Sequence, residues 1–407
     1  MTAAPVERAA RVRAGRHGGV PWPTARALAA QAAPLPTVEV ALGDAIGQVL
    51  ARDLAARGDL PAADISAMDG WAVAGPPPWR VVAEVAAGRV YRGALSSGQC
   101  VDIATGAAVP DGADAVLPVE DSLREADVVR PASSLDSDRP RHIRCRGEEA
   151  RRGDLLLPAG TVVSPPVAGL AAATGSDTLA VVRRAVVDVL VLGDELLDEG
   201  VAEHGRARDA LGPQLPAWLA ALHATVPSVR RLPDDLDDVV SAIGASRADL
   251  VLTTGGTGPG GGDHLHAALS RLGARVVVDG VAVKPGHPML LAALPDGRWV
   301  VGLPGNPLAA CAALLTLVQP LLQALQGRTA GPPQSVRLAT ASPGRPGDAH
   351  RLVPVARTGQ TAVLRPSCGP AMLRGLAGAT GLAVVGPTGA AADESVPYLP
   401  LPWQDAV

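Results

Sequence analysis

An apolar run, Leu250 to Thr254, breaks directly into glycine: Gly255, Gly256, Gly258, Gly260, Gly261 and Gly262 follow within eight positions. The run is short and rich in β-formers, as expected of a strand buried on both faces. Only glycine lets a backbone turn so sharply and bring bare N–H groups up to a ligand. Asp263 stands where a helix N-cap belongs. Leu265, Ala268, Leu269 and Leu272 then form an i, i+3, i+4, i+7 stripe that Gly273 ends. A glycine loop between a strand's C-terminal end and a helix is a ready anion site. No Gly-Lys-Ser/Thr closes it, and it lacks dinucleotide spacing. A phosphate or oxyanion ligand and a bare tight turn are both open at this point.

The units around this stretch repeat its form. Residues 186–191 read as a buried strand, 226–232 as strand-like, and 216–224 as a short helix. Asp234 is expected to cap a helix whose Leu236, Val239, Val240 and Ile243 share one face. A strand from Trp299 leads through Leu303-Pro-Gly-Asn-Pro into a long helix, with Asn306 as N-cap, Pro307 in its first turn and Gly327 closing it. Repeated strand–loop–helix units predict a doubly wound α/β sheet with its ligand at the strand C-termini.

The flanks differ. A helix is predicted from Thr24 to Ala33 and a short amphipathic one through Leu42, Ile46, Val49 and Leu50. Met68-Asp69-Gly70 reads as a turn entering a strand. Runs at 80–85, 100–103, 115–118 and 128–130 alternate with glycine and proline turns, which predicts a small β-module. Residues 131–140 form a polar linker, 166–173 a helix, and the chain from about 328 a second β-module. At 407 residues more than one domain is expected. The expected divisions are a disordered tail (1–20), a linker domain (21–60 and 141–175), an inserted β-domain (61–140), an α/β domain (176–327) and a C-terminal β-domain (328–407).

Composition excludes several function classes. Phe is absent and aromatics are 2%, so a base-stacking platform is not expected. The net charge of −4 argues against nucleic acid or an anionic membrane as partner. The four cysteines are scattered with no C-x-x-C. Neither zinc nor a disulfide framework is indicated, and buried free thiols in a reducing cytosol are the expectation. No apolar run is read as reaching the ~20 residues of a membrane span, and no secretory signal is seen, so a cytoplasmic location is expected.

Acidic residues recur just after strands: Asp194 and Glu195, Asp234 and Asp235, and Asp263. Strand C-termini share one sheet edge, so these carboxylates can meet there and hold a hard cation such as Mg²⁺ beside an anion. Helix capping is the competing role for Asp234 and Asp263. Lys284, in Lys-Pro-Gly-His, is a point charge in a rigid turn, suited to an oxyanion. Pro304-Gly305-Asn306-Pro307 is a second helix start, open either to an anion or to ordinary capping by Asn-Pro. No nucleophile–histidine–acid arrangement stands out, so transfer chemistry by positioning and electrostatics is favoured.

In order, SAMDGWAV (66–73), ATGAAVPDGADAVLPVED (104–121), IRCRGEEARRGDLLLPAGT (143–161), LGDEL (192–196), TTGG…GGD (253–263), VKPGHP (283–288) and GLPGNP (302–307) resemble the molybdopterin molybdenumtransferase family, the MoeA / gephyrin E-domain group, over roughly residues 22–400. The resemblance implies an elongated homodimer. In it an α/β domain like that of molybdopterin adenylyltransferases accompanies a linker domain, an inserted β-domain and a C-terminal β-barrel-like domain. It implies insertion of molybdate into adenylylated molybdopterin, with Mg²⁺-assisted release of AMP. It marks Asp69, Thr105, Glu195, Asp234 and Asp263 as the acidic and hydroxyl positions of the site, the last three as metal ligands. It places Lys284, Pro285, His287, Pro304, Gly305, Asn306, the glycines 255, 256 and 260, and Arg351 of DAHRLVPV in its ligand loops. Asp69 and Thr105 are expected to reach over from the partner subunit. Molybdopterin adenylyltransferase and apo-molybdoenzymes are the implied partners.

The chain departs from the family pattern at Val191-Leu192, Ala210, Leu211, Gly261, Gly262, His287, Glu149 and Ile65. These departures leave open a divergent, non-catalytic molybdopterin-binding or scaffold paralog. A pterin adenylyltransferase is disfavoured, because that activity needs only the α/β domain.

Overall fold

A computed structural model describes residues 19–134, 141–258, 264–329, 331–344 and 347–404. Residues 1–18 of the predicted tail, part of the polar linker, and Gly260, Gly261, Gly262 and Asp263 lie outside them, whereas Gly19 and Val20, placed in the disordered tail by the sequence reading, are described and Val20 is buried in a bridge to Val281. The described residues form two compact units, one made of the chain up to Val38 with the chain from Val182, the other Glu39–Val181.

In the first unit, six strands run in the order Thr225–Leu232, Val186–Leu192, Leu250–Thr254, Trp299–Leu303, Leu290–Ala293 and Arg275–Asp279. The first four are parallel, and the last two are antiparallel additions. The Leu250–Thr254 strand shows why the sheet is doubly wound. Leu250 and Leu252 face the larger core cluster with the Pro307–Leu325 helix, whereas Val251 faces the smaller one with Leu265, Leu269 and Ile243. Each face of an extended chain takes alternate side chains, so an unbroken apolar run needs a core on both sides.

Several boundaries differ from the sequence reading. The first helix is Trp22–Ala29, with Pro21 rather than Thr24 at its N-cap. Trp22, 4% exposed, draws the start back into the core. The helix expected at 42–50 is a single turn, Leu42–Ala45; Gly47, at φ +83°, ends it, and Val49 and Leu50 enter a strand. Asp235, not Asp234, caps the helix Leu236–Ala245: its carboxylate accepts from Asp237 N and Asp238 N. The Pro307–Leu325 helix is long and apolar enough to cross a membrane, contrary to the expectation of no such run. Yet 89% of its apolar window is buried, and it forms the core beneath the sheet. A π turn, Leu314–Val318, interrupts it.

The chain from 334 closes a barrel. His350–Thr358, Thr361–Leu364, Gln334–Leu338, Ser395–Pro400 and Gly381–Val385 pair in that order, and the last strand pairs back to the first. Val283–Lys284 joins outside as a parallel neighbour of His350–Arg351.

In the second unit the predicted runs at 80–85, 100–103, 115–118 and 128–130 are all strands of one six-stranded sheet. Gly70–Val73 lies inside it, between Ala115–Pro118 and Gln99–Ile103. The helix Pro165–Ala173 is capped by Ser164. Cys100 and Cys311 are buried as expected, but Cys145 is exposed and Cys368 half-buried.

Candidate functional site

The strand C-termini of the α/β sheet open onto a cavity of about 730 Å³. Four strand-end loops contribute to it, together with residues 207–211, Pro288, Ala371 and Leu373. Glu195 comes from the loop after Val186–Leu192, Asp234 from the loop after Thr225–Leu232, Gly255 and Gly256 from the loop after Leu250–Thr254, and Pro304, Gly305 and Asn306 from the loop after Trp299–Leu303.

Each loop is held for a local reason. Gly255 and Gly256 sit at φ +80° and +66°, where a side chain is strained, and Leu192 lies 3.3 Å from the Cβ position of either. The Gly255 N–H donates to Leu303 O at 2.9 Å, tying the glycine loop to the neighbouring strand end. Asn306 occupies the N-cap of the core helix, but its side chain makes no cap bond. Among the described residues its carboxamide is therefore not used for capping.

Asp234 is likewise released from capping by Asp235. It forms a reciprocal pair with Asp194: each backbone N–H donates to the other's carboxylate, at 3.3 and 3.4 Å. That pair links the first two loops, and Glu195 and Asp234 both line the cavity. Among the described residues no three His, Cys, Asp or Glu side chains form a ready metal group. The donor set present, exposed carboxylate oxygens beside a glycine loop, is the kind a Mg²⁺ ion accepts when water and ligand phosphate complete its shell.

A second cavity, of about 440 Å³, adjoins the first, and Pro288, Pro304 and Asn306 line both. It contains Lys284, Pro285, His287 and Arg351, and among the described residues no carboxylate lines it. Lys284 and Arg351 are direct register partners on adjacent strands. Arg351 Nη1 donates to Pro343 O at 2.9 Å and Ser342 Oγ at 3.2 Å, which fixes the guanidinium. Lys284 makes no ion pair among the described residues. His287 Nδ1–H donates to Val281 O at 2.8 Å, so it braces its own turn. The two cavities thus differ in charge, one rimmed by acids and one by cations.

The structure brings Glu195, Asp234, Gly255, Gly256 and Gly305 into the first cavity, Lys284, Pro285, His287 and Arg351 into the second, and Pro304 and Asn306 into both. Asp69 and Thr105 lie in the other unit, joined to each other. The Thr105 N–H and hydroxyl donate to Asp69 Oδ1 at 2.6 and 2.8 Å. These bonds, the backbone one foremost, hold the Asp69 carboxyl below the usual carboxylate range.

The sequence reading missed Arg208 and Cys368. Arg208 lines the acidic cavity, with Nη1 donating to Leu197 O at 2.9 Å. Cys368 lines the cationic one. Neither carries a spacing signal: Arg208 sits on the two-residue strand Ala207–Arg208 paired with Leu196–Leu197, and Cys368 on an irregular segment of the C-terminal chain. At two departures from the family pattern, Leu211 is 5% exposed inside the main core and Ala210 lines the acidic cavity. Asp209, beside them, accepts from Leu211 N and Gly212 N, both at 2.9 Å.

Comparison with known proteins gives the same outline. The MoeA N-terminal region (domain I and II) matches residues 20–175, and a probable molybdopterin binding domain matches residues 188–324. A molybdopterin molybdenumtransferase of Staphylococcus aureus is 30% identical over 323 residues, which cover 75% of this chain and 76% of that one. One of Synechococcus elongatus is 33% identical over 316 residues, covering 74% and 78%. The crystal structure of a molybdopterin biosynthesis MoeA protein from Pyrococcus horikosii is similar with a TM-score of 0.76 at 25% identity, covering 94% of this chain and 99% of that one.

Proposed function

Since this chain belongs to the molybdopterin molybdenumtransferase family, we propose that it is a transferase of molybdenum cofactor biosynthesis, inserting molybdate into adenylylated molybdopterin and releasing AMP. The observation that carries this reading is the pair of adjoining cavities with opposite charge, joined at Pro304 and Asn306. A ligand with a phosphate at one end and an oxyanion partner at the other matches that division.

In the acidic cavity, the N–H groups of the glycine loop and the start of the core helix take the phosphate. Glu195 and Asp234 would hold Mg²⁺, which when bound neutralises phosphate charge. Asp263 and Gly260 join them on the resemblance alone. In the cationic cavity, Lys284 and Arg351 hold molybdate. His287 keeps the turn closed, and Pro285 keeps Lys284 on a fixed path. The Asn306 carboxamide, free of capping, contacts ligand where the cavities meet. These groups act by holding charged atoms in place, which is how positioning and electrostatic stabilisation lower a barrier. Asp69, kept ionised by Thr105, is assigned to the same reaction from the family motif.

The wider reading follows the resemblance: a homodimer in the cytoplasm, divided into linker segments 21–60 and 141–175, a β-domain at 61–140, an α/β domain at 176–327 and a C-terminal domain at 328–407. Its partners are molybdopterin adenylyltransferase and apo-molybdoenzymes. One alternative has specific support. Leu211 in the core and Ala210 on the cavity wall remove polar side chains from the acidic site, which fits a relative that binds molybdopterin without inserting metal. Incubation with adenylylated molybdopterin, molybdate and Mg²⁺ separates the two readings. AMP release with reconstitution of an apo-molybdoenzyme supports the transferase, and binding without release sinks it.

A further inference from the structure

The strand that carries Lys284 is only two residues long, Val283–Lys284. A ladder this short does not hold its own register, yet the Lys284 position depends on it. The barrel supplies one side: the His350 N–H donates to Ala282 O at 2.9 Å, and Val283 and Lys284 pair with His350 and Arg351. The other side is covered by the start of the described chain. The Val20 N–H donates to Gly280 O, and the Ala282 N–H donates to Val20 O, both at 2.9 Å. Val20 and Val281 form a parallel bridge. Ala282 is thus gripped from both edges.

Gly19 shows how close that grip is. A Cβ there would stand 2.5 Å from the Gly280 carbonyl carbon and oxygen and 2.7 Å from Val281 N, so no side chain fits between the two backbones. Three residues on, the Trp22 ring lies against the His350 ring, with centroids 6.0 Å apart. Arg26 sits over Trp22 at 5.5 Å and donates to Leu315 O of the core helix. One end of the arm is anchored in the core, and the other lies on residues 280–282, which lead directly into the lysine strand.

We infer that residues 19–22, closed by the Trp22–His350 contact, are a positioning clamp that fixes Lys284 beside Arg351 for oxyanion binding. This rests on the reading of Lys284 and Arg351 as the oxyanion cations. The arm touches no ligand; it sets where Lys284 stands.

The test uses the full chain and three variants: Gly19→Ala, Trp22→Leu and Lys284→Ala. Molybdate affinity is measured by equilibrium dialysis, the KM for molybdate in the AMP-release assay, and amide exchange at Ala282 and His350. Gly19→Ala is expected to weaken molybdate about tenfold, raise KM with kcat kept, and speed exchange of the Ala282 amide by about tenfold. Trp22→Leu, which removes the His350 contact without a clash at Gly280, is expected to shift the same readouts in the same direction. Lys284→Ala should weaken molybdate at least as much with Ala282 exchange unchanged. If Lys284→Ala lowers affinity and neither arm variant does, the clamp is refuted. Unchanged Ala282 exchange in Gly19→Ala refutes it even where no molybdate binding is measured. If Lys284→Ala leaves affinity untouched, the oxyanion reading fails, and exchange alone decides the clamp.

Discussion

Asp234 and Asp235 are neighbours of the same chemistry, and the fold gives them different work. Asp235 accepts two helix N–H groups, at 2.9 and 3.0 Å. Replacing such a cap with alanine costs about 1 kcal/mol, or roughly 2–4 °C in melting temperature for a unit this large. The helix Leu236–Ala245 packs Val239, Ala242 and Ile243 into a core that persists, so the loss stays at that size. Asp234 makes only the long, exposed contacts with Asp194, at 3.3 and 3.4 Å. Contacts of this kind contribute a few tenths of a kcal/mol, roughly, at the weak end of hydrogen bonding. Its carboxylate instead lines the acidic cavity. Asp234→Asn keeps the shape and removes the charge. It is expected to melt within about 1 °C of wild type and to lose on the order of 10²-fold in AMP release, about 2.7 kcal/mol of barrier. Asp235→Ala is expected to show the reverse: a lower melting temperature and AMP release within about twofold at a temperature where both are folded. Differential scanning fluorimetry and the AMP assay on the same samples decide it. An Asp234→Asn enzyme of full activity, or an inactive but fully stable Asp235→Ala, would refute the division of roles.

Two further expectations follow from charge and burial. Asp69 is held ionised by Thr105, so the stability it adds is fully present above the ordinary carboxyl value of about 3.9 and lost as pH falls through its lowered native value. Thr105→Ala removes one of the two donors and should move the Asp69 titration upward, read from its carboxyl ¹³C shift; an unmoved titration would show that the hydroxyl plays no part. Burial pushes the Cys311 thiol up to about 12 and Cys100 to about 11, while Cys145 is exposed. Iodoacetamide at pH 8 should label Cys145 in the native protein and Cys100 and Cys311 only after unfolding, as mass spectrometry of the peptides would show; rapid native labelling of Cys311 would contradict its placement in the core.

Much of the α/β unit was legible in the chain because its signals are local. An apolar run flanked by glycine gives Leu250–Thr254, and the stripe at 265, 268 and 269 gives the helix after the loop, whose three side chains are all fully buried. Asn306 and Pro307 mark the start of the core helix in the same way. Where two residues offered the same chemistry, periodicity could not choose. Asp234 and Asp235 are equally good caps on paper, and the choice fell to backbone geometry at the turn, with Asp235 at φ −123° and ψ 132°. The Thr24 cap failed for a related reason, since burial of Trp22 set the start of that helix.

By itself, then, the sequence determined the kinds of element and the inventory of charged groups at their ends, because side-chain period, glycine freedom and capping act over a few residues. It also carried the ordered motifs by which the family is recognised. The tertiary structure decided which groups meet. Lys284 stands beside Arg351, 67 positions further along, and the chain's first described residues, Gly19 and Val20, lie against Gly280 and Val281. Arg208 comes to its cavity from a two-residue strand and Cys368 from an irregular segment. Such pairings are fixed by the register that buries both partners' neighbours and leaves no backbone group unpaired. That condition is set by the whole fold, and no window of the sequence contains it.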